Sequence, residues 1–211
     1  MSEELLDYFL NEVAGVIHVG ANIGQECAQY AAFGLNVLWV EPNPQVFPRL
    51  MDNICGFPRQ RAVQALITDT DGAEYPFHVA DNSGASSSIL QLQQHQEIWP
   101  SIHYVDTLTL TGITLSTLVR NLHIDLNSYQ GLILDTQGTE LLVLKGSVPI
   151  LERFDFVKLE VADFESYAGC CQLPEVTSFL TQHGYREVAR HQFASSGDSK
   201  HYFDIVYQPR T

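Results

Sequence analysis

The sequence predicts an α/β fold: a mostly parallel β-sheet with one antiparallel strand and helices on both faces. Short runs rich in aliphatic and β-branched residues alternate with segments that have helical spacing. The first such run, residues 16–19, leads through a turn with two glycines directly into a helical segment. The last two runs, residues 185–189 and 202–207, are joined by a polar loop without a helix, which indicates an antiparallel pair at the end of the sheet.

The composition is that of an ordinary globular protein. With 211 residues, of which 45% are hydrophobic and 17% charged, the chain can bury a sizeable core, and we expect residues 1–211 to form one domain. The formal net charge of −14 argues against a nucleic acid or an anionic membrane surface as a partner. It is compatible with a small neutral or cationic ligand.

The sequence also bears on compartment and metals. The N-terminus is acidic and lacks the apolar segment of a signal peptide, and no apolar run reaches the roughly twenty residues that span a bilayer. None of the four cysteines has the C-x-x-C spacing of a zinc site, and no metal is predicted. We therefore expect a protein of the reducing cytoplasm. The oligomeric state stays open, with a homodimer as one alternative.

A first helix is expected over residues 1–14, before the first strand. Ser2 can cap this helix, and Glu3 and Glu4 are favourably placed at its positive end. Its apolar stripe, which we expect to cover the sheet, consists of Leu5, Leu6, Phe9, Leu10 and Val13.

The turn after the first strand has the chemistry of a nucleoside site. Gly20 and Gly24 let the backbone approach a ligand closely, and the helix expected over residues 25–33 offers unpaired N–H groups at its start. The second apolar run, residues 37–40, ends in Glu41, where a doubly wound fold holds ribose hydroxyls. The alternative is a glycine turn that only packs strand on helix, with Glu41 solvated.

The same turn limits the choice of cofactor. Asn22 stands where a dinucleotide fingerprint requires its second glycine, and the turn lacks the Gly-Lys-Ser/Thr ending of a phosphate-binding loop. Glu26 would repel a phosphate. A nucleoside without a phosphate remains, and S-adenosylmethionine fits this description: its ribose would lie on Glu41 and its amino-acid end over the turn.

The middle of the chain departs from plain strand–helix alternation. A third strand is expected over residues 62–68, followed by a turn and a short strand over residues 75–79, so that a hairpin is expected here. A polar stretch, residues 81–88, precedes another extended piece at residues 105–110. We therefore expect a hairpin and lid insertion over residues 74–112.

The second half of the chain predicts helices over residues 115–122, 139–145 and 174–183 and core strands over residues 131–135 and 156–161. The first of these strands ends in Asp135, and the second carries Glu160 near its tip. Gly146 stands just past the expected end of the middle helix, as a helix terminator does.

These motifs, taken in order, are similar to the FkbM-type methyltransferases, a branch of the class I S-adenosylmethionine-dependent methyltransferases. The resemblance covers roughly residues 16–206, and its most specific part is Asp-Thr-Gln-Gly-Thr-Glu at residues 135–140, followed by Val-Leu-Lys-Gly. The other matching motifs are His18 to Glu26, Val40 to Pro44, Ser86 to Ser88 and Lys158 to Val161. The resemblance implies a Rossmann-like domain with a mostly parallel seven-stranded sheet.

The resemblance also implies which residues bind the cofactor. Gly20 and Asn22 would line the methionine part, Glu41 the ribose, and the end of strand three the adenine. The full set is Gly20, Ala21, Asn22, Gly24, Gln25, Glu41, Pro42, Ala65, Leu66 and Asp135. One departure is His18, because many class I enzymes have an acid two residues before the first glycine.

The predicted chemistry is methyl transfer to a hydroxyl group. Methyl transfer from a sulfonium is an in-line displacement, and a hydroxyl acceptor also needs a general base to remove its proton. Asp135 is the first candidate for that base, with cofactor contact or helix capping as the alternative. Glu140 and Glu160 are candidates for holding acceptor hydroxyls or for structural hydrogen bonds. His95 is the last catalytic candidate, although a solvated loop histidine is the plainer interpretation.

We therefore expect an O-methyltransferase that acts on a hydroxyl of a sugar or other small metabolite. A non-catalytic S-adenosylmethionine-binding module is one alternative, and a nicotinamide-dependent oxidoreductase is another, disfavoured by Asn22. The acceptor has no readable code in the sequence. Asp135 and Glu160 lack a defined third ligand, so they are weak support for a metal.

Overall fold

The structure is a computed structural model that describes residues 8–210. Its strands are β1 (Gly15–Val19), β2 (Asn36–Glu41), β3 (Gln60–Gln64), β4 (Leu66–Ile67), β5 (Glu74–Ala80), β6 (Tyr104–Ile113), β7 (Gly131–Leu134), β8 (Phe156–Ala162), β9 (Tyr185–Ser196) and β10 (Lys200–Pro209). Its helices are α1 (Cys27–Ala32), α2 (Phe47–Ile54), α3 (His95–Ile98), α4 (Leu115–Asn121), α5 (Glu140–Ser147) and α6 (Leu173–Gln182), with 3₁₀ turns at Leu126–Ser128 and Val148–Arg153.

Seven strands form the main sheet in the order β3-β2-β1-β7-β8-β10-β9. The first five are parallel to their neighbours, and β10 runs antiparallel to both β8 and β9. The predicted mostly parallel sheet with one antiparallel strand is therefore confirmed. The chain moves outward from β1 to β3 and then returns to the other side of β1 with β7. Such a switch in strand order opens a crevice at the carboxyl ends of the strands.

Helices cover both faces of this sheet, as predicted. On one face, aliphatic residues of the strands pack with α4, α5 and α6. On the other face they pack with α1, α2 and the helical residues 8–11, of which Phe9 and Leu10 are buried. Of the predicted first helix, Ser2 to Leu6 lie outside the described residues. None of the helices within residues 8–210 has both the length and the apolar character that crossing a membrane requires.

The third strand is broken, whereas the sequence predicts one continuous strand over residues 62–68. The N–H of Ala65 donates to the carbonyl of Glu41 at 3.3 Å, and there the pairing with β2 ends. Pro42 follows and has no N–H to continue the ladder. Leu66 and Ile67 instead pair in parallel with β6, in a second sheet of order β4-β6-β5.

The predicted hairpin between residues 62–68 and 75–79 does not form. β5 pairs antiparallel with β6, with Phe77 opposite Leu108, and not with the strand that precedes it. The reason is packing: Phe77 and Val79 of β5 bury their side chains with Leu66 of β4, and β6 lies between the two strands. The insertion thus forms a small sheet together with β4, beside the switch in strand order.

Gly146 lies inside α5, although the sequence predicts it just past the helix end. A Cβ at this position would lie 2.2 Å from the carbonyl oxygen of Thr68 and 3.3 Å from the Cβ of Thr114. The small residue therefore lets α5 approach the backbone that follows β4. This close approach, and not helix termination, accounts for the glycine.

We expect Gly146→Ala to lower the free energy of unfolding by about 1–3 kcal/mol, because a rigid backbone carbonyl occupies the space of the new methyl group. Urea denaturation measures this change. Gly56→Ala is the matched control, since nothing lies within 4 Å of a Cβ at Gly56. Equal stability of the two variants would contradict the packing role of Gly146.

Candidate functional site

The carboxyl ends of β1, β2 and β7 meet at one point of the main sheet. The N–H of Gly20 donates to the carbonyl of Val40, and the N–H of Asp135 donates to that of Val19, both at 2.9 Å. Gly20 has φ +85°, and a Cβ there would lie 1.8 Å from the carbonyl oxygen of Asp135. Only glycine allows the turn after β1 to pass this close to β7.

An open cavity, here called the main cavity, lies at this point. The structure brings together in its walls the predicted residues Gly20, Asn22, Glu41, Pro42, Ala65, Leu66 and Asp135. The insertion closes the opposite side with Phe77, Ala85, Ser87 and Ile89. The crevice position agrees with the general rule for ligand sites in open α/β sheets. A cofactor role for each of these residues stays a prediction.

The structure places three other predicted residues outside the walls of the main cavity. Ala21 is buried, and Gly24 packs against Leu50, where a Cβ would lie 2.8 Å from the Leu50 side chain. Gln25 is exposed, and its amide donates to the side-chain oxygen of Asn22 at 3.3 Å. These residues shape the turn that Asn22 presents to the cavity.

The carboxylate of Glu41 holds two backbone turns. One oxygen accepts the N–H of Asn22 at 2.7 Å, and the other accepts the N–H of Asn43 at 2.8 Å. Asn22 has φ +44°, so this hydrogen bond fixes a left-handed turn residue. Glu41 is only 5% exposed, which excludes the alternative of a solvated carboxylate. Each oxygen keeps a lone pair, so the group can still accept hydroxyl groups of a ligand.

Burial raises the pKa of Glu41 from 4.5 to about 7, although its two backbone hydrogen bonds lower it. A carboxyl group in this state holds a proton in the folded chain at a pH where the unfolded chain has lost it. Ionising Glu41 therefore costs more free energy in the folded chain than in the unfolded chain. The free energy of unfolding falls as the pH rises through this range.

Asp135 stands at the start of a hydrogen-bonded chain of side chains. Its Oδ1 accepts the amide N–H of Gln137 at 2.5 Å, and the amide oxygen of Gln137 accepts the hydroxyl of Tyr167 at 2.7 Å. Burial raises the pKa of Asp135 to about 6, against the hydrogen bond from Gln137, which lowers it. A carboxylate with this pKa at the wall of a cavity suits a general base near neutral pH.

Glu140 makes structural hydrogen bonds, which is one of the two roles that the sequence leaves open for it. One oxygen accepts the backbone N–H and the hydroxyl of Thr136, at 2.9 and 3.0 Å, and the N–H of Gly138 at 3.2 Å. The other oxygen accepts the thiol of Cys171 at 3.4 Å. Glu140 is buried and therefore stabilises the turn that carries Gln137.

Glu160 lies near the end of β8, as predicted, opposite Asp204 of β10. It lines a second, small cavity, here called the inner cavity, together with Tyr167 and Tyr202. Burial raises the pKa of Glu160 well above its usual range, and the nearby Asp135 raises it further. Gln137 lies in the walls of both cavities.

His95 is not the solvated loop residue that the sequence favours. It is 3% exposed, and its ring nitrogens lie 2.6 Å from the hydroxyl of Tyr202 and 3.2 Å from that of Ser86. Burial lowers the pKa of His95 to about 4, so the ring is neutral. It lies outside the walls of both cavities and joins the insertion to β10.

His18, the departure from the class I pattern, is also a buried neutral residue. Its ring lies 5.0 Å from that of Trp39, and its Nδ1 lies 3.2 Å from the hydroxyl of Tyr30. Burial lowers the pKa of His18 to about 3, helped by Lys158. His18 therefore packs α1 against the sheet. Because its ring is neutral, it adds no charge near the main cavity.

Sequence reasoning missed Gln137 and the insertion residues as parts of the walls. The motif that contains Gln137 is visible in the sequence, but its side-chain partner Tyr167 is 30 positions away. Ser88, from the serine motif of the insertion, donates its hydroxyl to the carbonyl of Gln137 at 2.8 Å. Within residues 8–210, no group of three or more His, Cys, Asp or Glu side chains is arranged to hold a metal ion.

We expect the stability of Glu41→Gln relative to the wild type to increase with pH. The folded chain binds more protons at Glu41 than the unfolded chain between pH 4.5 and about 7, so the wild-type free energy of unfolding falls in that range. The substitution removes up to about 3 kcal/mol of this dependence. Urea denaturation at pH 4.5 and pH 8 measures it, with the exposed Glu74→Gln as control. A difference between Glu41→Gln and the wild type that stays constant with pH would contradict the shift.

Comparison with known proteins agrees with this geometry. The sequence pattern of the methyltransferase FkbM domain matches residues 18–187, which is most of the chain. A curated relative is the 2-O-methyltransferase NoeI of Sinorhizobium fredii, with 24% identity over 167 residues, covering 75% of this chain and 67% of the relative.

Solved structures share the fold at low sequence identity. One is the 1,6-didemethyltoxoflavin-N1-methyltransferase of Burkholderia thailandensis with bound S-adenosylhomocysteine, with a TM-score of 0.53, 14% identity, and coverage of 99% of this chain and 76% of that one. Another is the magnesium protoporphyrin IX methyltransferase of Synechocystis with bound S-adenosylmethionine, with a TM-score of 0.50, 10% identity, and coverage of 99% and 77%. The fold, the position of the main cavity and the family match all point to a methyltransferase and not to a nicotinamide-dependent oxidoreductase. The chain belongs to the FkbM methyltransferase domain family and is an S-adenosylmethionine-dependent methyltransferase.

Proposed function

We propose that this methyltransferase acts on a hydroxyl group of a sugar or other small metabolite. The observation that carries the proposal is Asp135, a carboxylate whose pKa is raised to about 6 at the wall of the main cavity. Such a group can remove the proton of a hydroxyl acceptor near neutral pH. The similarity to a 2-O-methyltransferase supports transfer to oxygen.

The walls of the main cavity fit S-adenosylmethionine. Glu41 has free lone pairs for ribose hydroxyls, and the turn at Gly20 and Asn22 offers backbone at close range for the methionine part. Ala65 and Leu66 would border the adenine with apolar surface. The cofactor supplies a methyl carbon activated by a sulfonium, and the protein supplies positioning and the base.

Two further expectations from the sequence are part of this proposal. The insertion, residues 74–112, serves as a lid over the main cavity, because its side chains form one wall. The chain acts as one domain in the cytoplasm, on small molecules.

Glu41→Ala should weaken the binding of S-adenosylhomocysteine by about 10-fold to 100-fold, because it removes a hydrogen-bond acceptor and frees the turns at Asn22 and Asn43. Isothermal titration calorimetry measures this change. Glu74→Ala, at an exposed position, should bind like the wild type. Wild-type affinity in Glu41→Ala would show that Glu41 does not contribute to binding of the cofactor.

Asp135→Asn should lower kcat by about 10²-fold to 10⁴-fold with an acceptor found in a screen of hydroxyl compounds. The affinity for S-adenosylhomocysteine should change little, because the amide keeps the size of the side chain. The wild-type kcat/KM should rise with pH up to about 6 as Asp135 ionises, and the variant should lose this rise. An unchanged kcat would show that Asp135 is not the base. Binding of the cofactor without turnover of any acceptor would favour a non-catalytic binding module.

A further inference from the structure

The carboxyl group of Asp135 ends a series of hydrogen-bonded side chains. Its Oδ1 accepts an amide N–H of Gln137 at 2.5 Å, and the amide oxygen of Gln137 accepts the hydroxyl of Tyr167 at 2.7 Å. We propose that Gln137 and Tyr167 are positioning residues: Tyr167 fixes the amide of Gln137, and Gln137 holds the carboxylate of Asp135 in one orientation at the wall of the main cavity. This inference rests on the function proposed above, in which Asp135 is the base.

The backbone of Gln137 is fixed independently of its side chain. Its φ is +55°, a left-handed value that a non-glycine residue adopts only where its surroundings hold it. Ser88 donates its hydroxyl to the carbonyl of Gln137 at 2.8 Å. The N–H groups of Thr136 and Gly138, on either side, donate to Glu140 at 2.9 and 3.2 Å. The side chain of Gln137 therefore starts from a fixed point next to Asp135.

Tyr167 decides which end of the Gln137 amide faces Asp135. Tyr167 is 1% exposed, and burial raises the pKa of its hydroxyl well above its usual range, so the hydroxyl keeps its proton. Both oxygens within its reach are acceptors: the amide oxygen of Gln137 at 2.7 Å and the carbonyl of Ser86 at 3.4 Å. The shorter hydrogen bond turns the amide oxygen toward Tyr167 and leaves the amide N–H groups to face Asp135.

The insertion holds the segment that carries Tyr167. The N–H of Ala168 donates to the carbonyl of Gln91 at 2.8 Å, and the N–H of Gln93 donates to the carbonyl of Ser166 at 3.0 Å. These hydrogen bonds tie the residues on both sides of Tyr167 to the insertion. The insertion therefore reaches Asp135 through Tyr167 and Gln137, in addition to forming one wall of the main cavity.

This arrangement serves a general base in two ways. An N–H that donates to a carboxylate favours the ionised form, which is the form that can accept a proton, whereas burial favours the protonated form. A carboxylate held through Oδ1 also cannot turn freely, so that a hydroxyl acceptor meets Oδ2 in a fixed position. Proton removal depends on such a geometry, because the base must lie within hydrogen-bond distance of the proton that it takes.

Charged groups on β8, on β10 and just before α1 also act on Asp135. Burial raises the pKa of Asp135 most, the hydrogen bond from Gln137 lowers it, Lys158 lowers it, and Glu26 and Asp204 raise it. Burial also raises the pKa of three neighbouring acids, and the charge of Asp135 adds to this effect at Glu41, Glu140 and Glu160. Uncharged substitutions at positions 137 and 167 leave all of these charges in place. A changed titration of Asp135 would then report the lost hydrogen bond.

The test is the titration of Asp135 itself, followed by NMR of protein that carries ¹³C at the side-chain carboxyl carbon of aspartate. The signal of Asp135 is the one that Asp135→Asn lacks, and its midpoint in the wild type is expected at about pH 6. Gln137→Met should lower the acid dissociation constant of Asp135 by about 10-fold. The reason is that methionine keeps the length of the side chain but donates no hydrogen bond to the ionised carboxylate.

Tyr167→Phe tests the second residue of the series. It should lower the same constant by about 3-fold, because the amide of Gln137 is then free to turn away from Asp135. In the double variant Gln137→Met, Tyr167→Phe it should add nothing, since Tyr167 acts through Gln137. The matched control is Tyr104→Phe, which also removes a tyrosine hydroxyl that donates at 2.7 Å, in this case to the carbonyl of Leu90. It should leave the titration of Asp135 unchanged.

A wild-type midpoint in Gln137→Met would overturn the proposal, and so would an equal effect of Tyr167→Phe with and without the amide of Gln137. Binding of S-adenosylhomocysteine checks that each variant is folded. If Gln137→Met fails this check, the comparison of Tyr167→Phe with Tyr104→Phe decides, and equal midpoints in these two variants would overturn the proposal.

Activity separates this inference from the function on which it rests. With an acceptor from the screen of hydroxyl compounds, kcat/KM of Gln137→Met should lie below the wild-type value at pH 6 and approach it at pH 8, because less of Asp135 is ionised at the lower pH. Equal ratios at the two pH values would contradict the positioning role. An unchanged kcat in Asp135→Asn would instead overturn the proposed base, while the NMR titration still judges whether Gln137 and Tyr167 hold its carboxylate.

Discussion

The structure depends on one close approach between backbones. At Gly20 the turn after β1 passes so near to Asp135 that a Cβ would lie 1.8 Å from the Asp135 carbonyl oxygen. Backbone hydrogen bonds from Gly20 to Val40 and from Asp135 to Val19 tie three strand ends into one unit. Because of this constraint, Glu41 and Asp135 face the same cavity.

Several carboxyl groups are buried around this point. Burial raises the pKa of Glu41 to about 7 and that of Asp135 to about 6, while the pKa of Glu160 also rises. The basic groups nearby are neutral or engaged: His18 is buried among aromatic rings, and Lys158 pairs with Asp204. The site is therefore acidic and poor in cations, which suits the positively charged sulfonium of the cofactor.

The sequence predicts those features that depend on neighbours along the chain. Gly20 and Glu41 are found from the spacing of a strand, a turn and a second strand. Other features depend on distant partners: His95 is buried because Tyr202, 107 positions away, meets it, and Gln137 becomes a cavity wall because Tyr167 reaches it. Position 146 requires glycine because α5 packs closely on Thr68, and not because the helix ends there. The partner of β5 could not be predicted, since β4 leaves the main sheet where Pro42 ends the ladder.

The most direct test of this account is a crystal structure of the protein with S-adenosylhomocysteine. We predict the ribose hydroxyls within hydrogen-bond distance of Glu41, the amino-acid part over the turn at Gly20 and Asn22, and the sulfur on the side of the cavity that Asp135 lines. A nucleoside bound elsewhere, or a ribose that does not contact Glu41, would contradict the central claim that the meeting point of β1, β2 and β7 is the cofactor site.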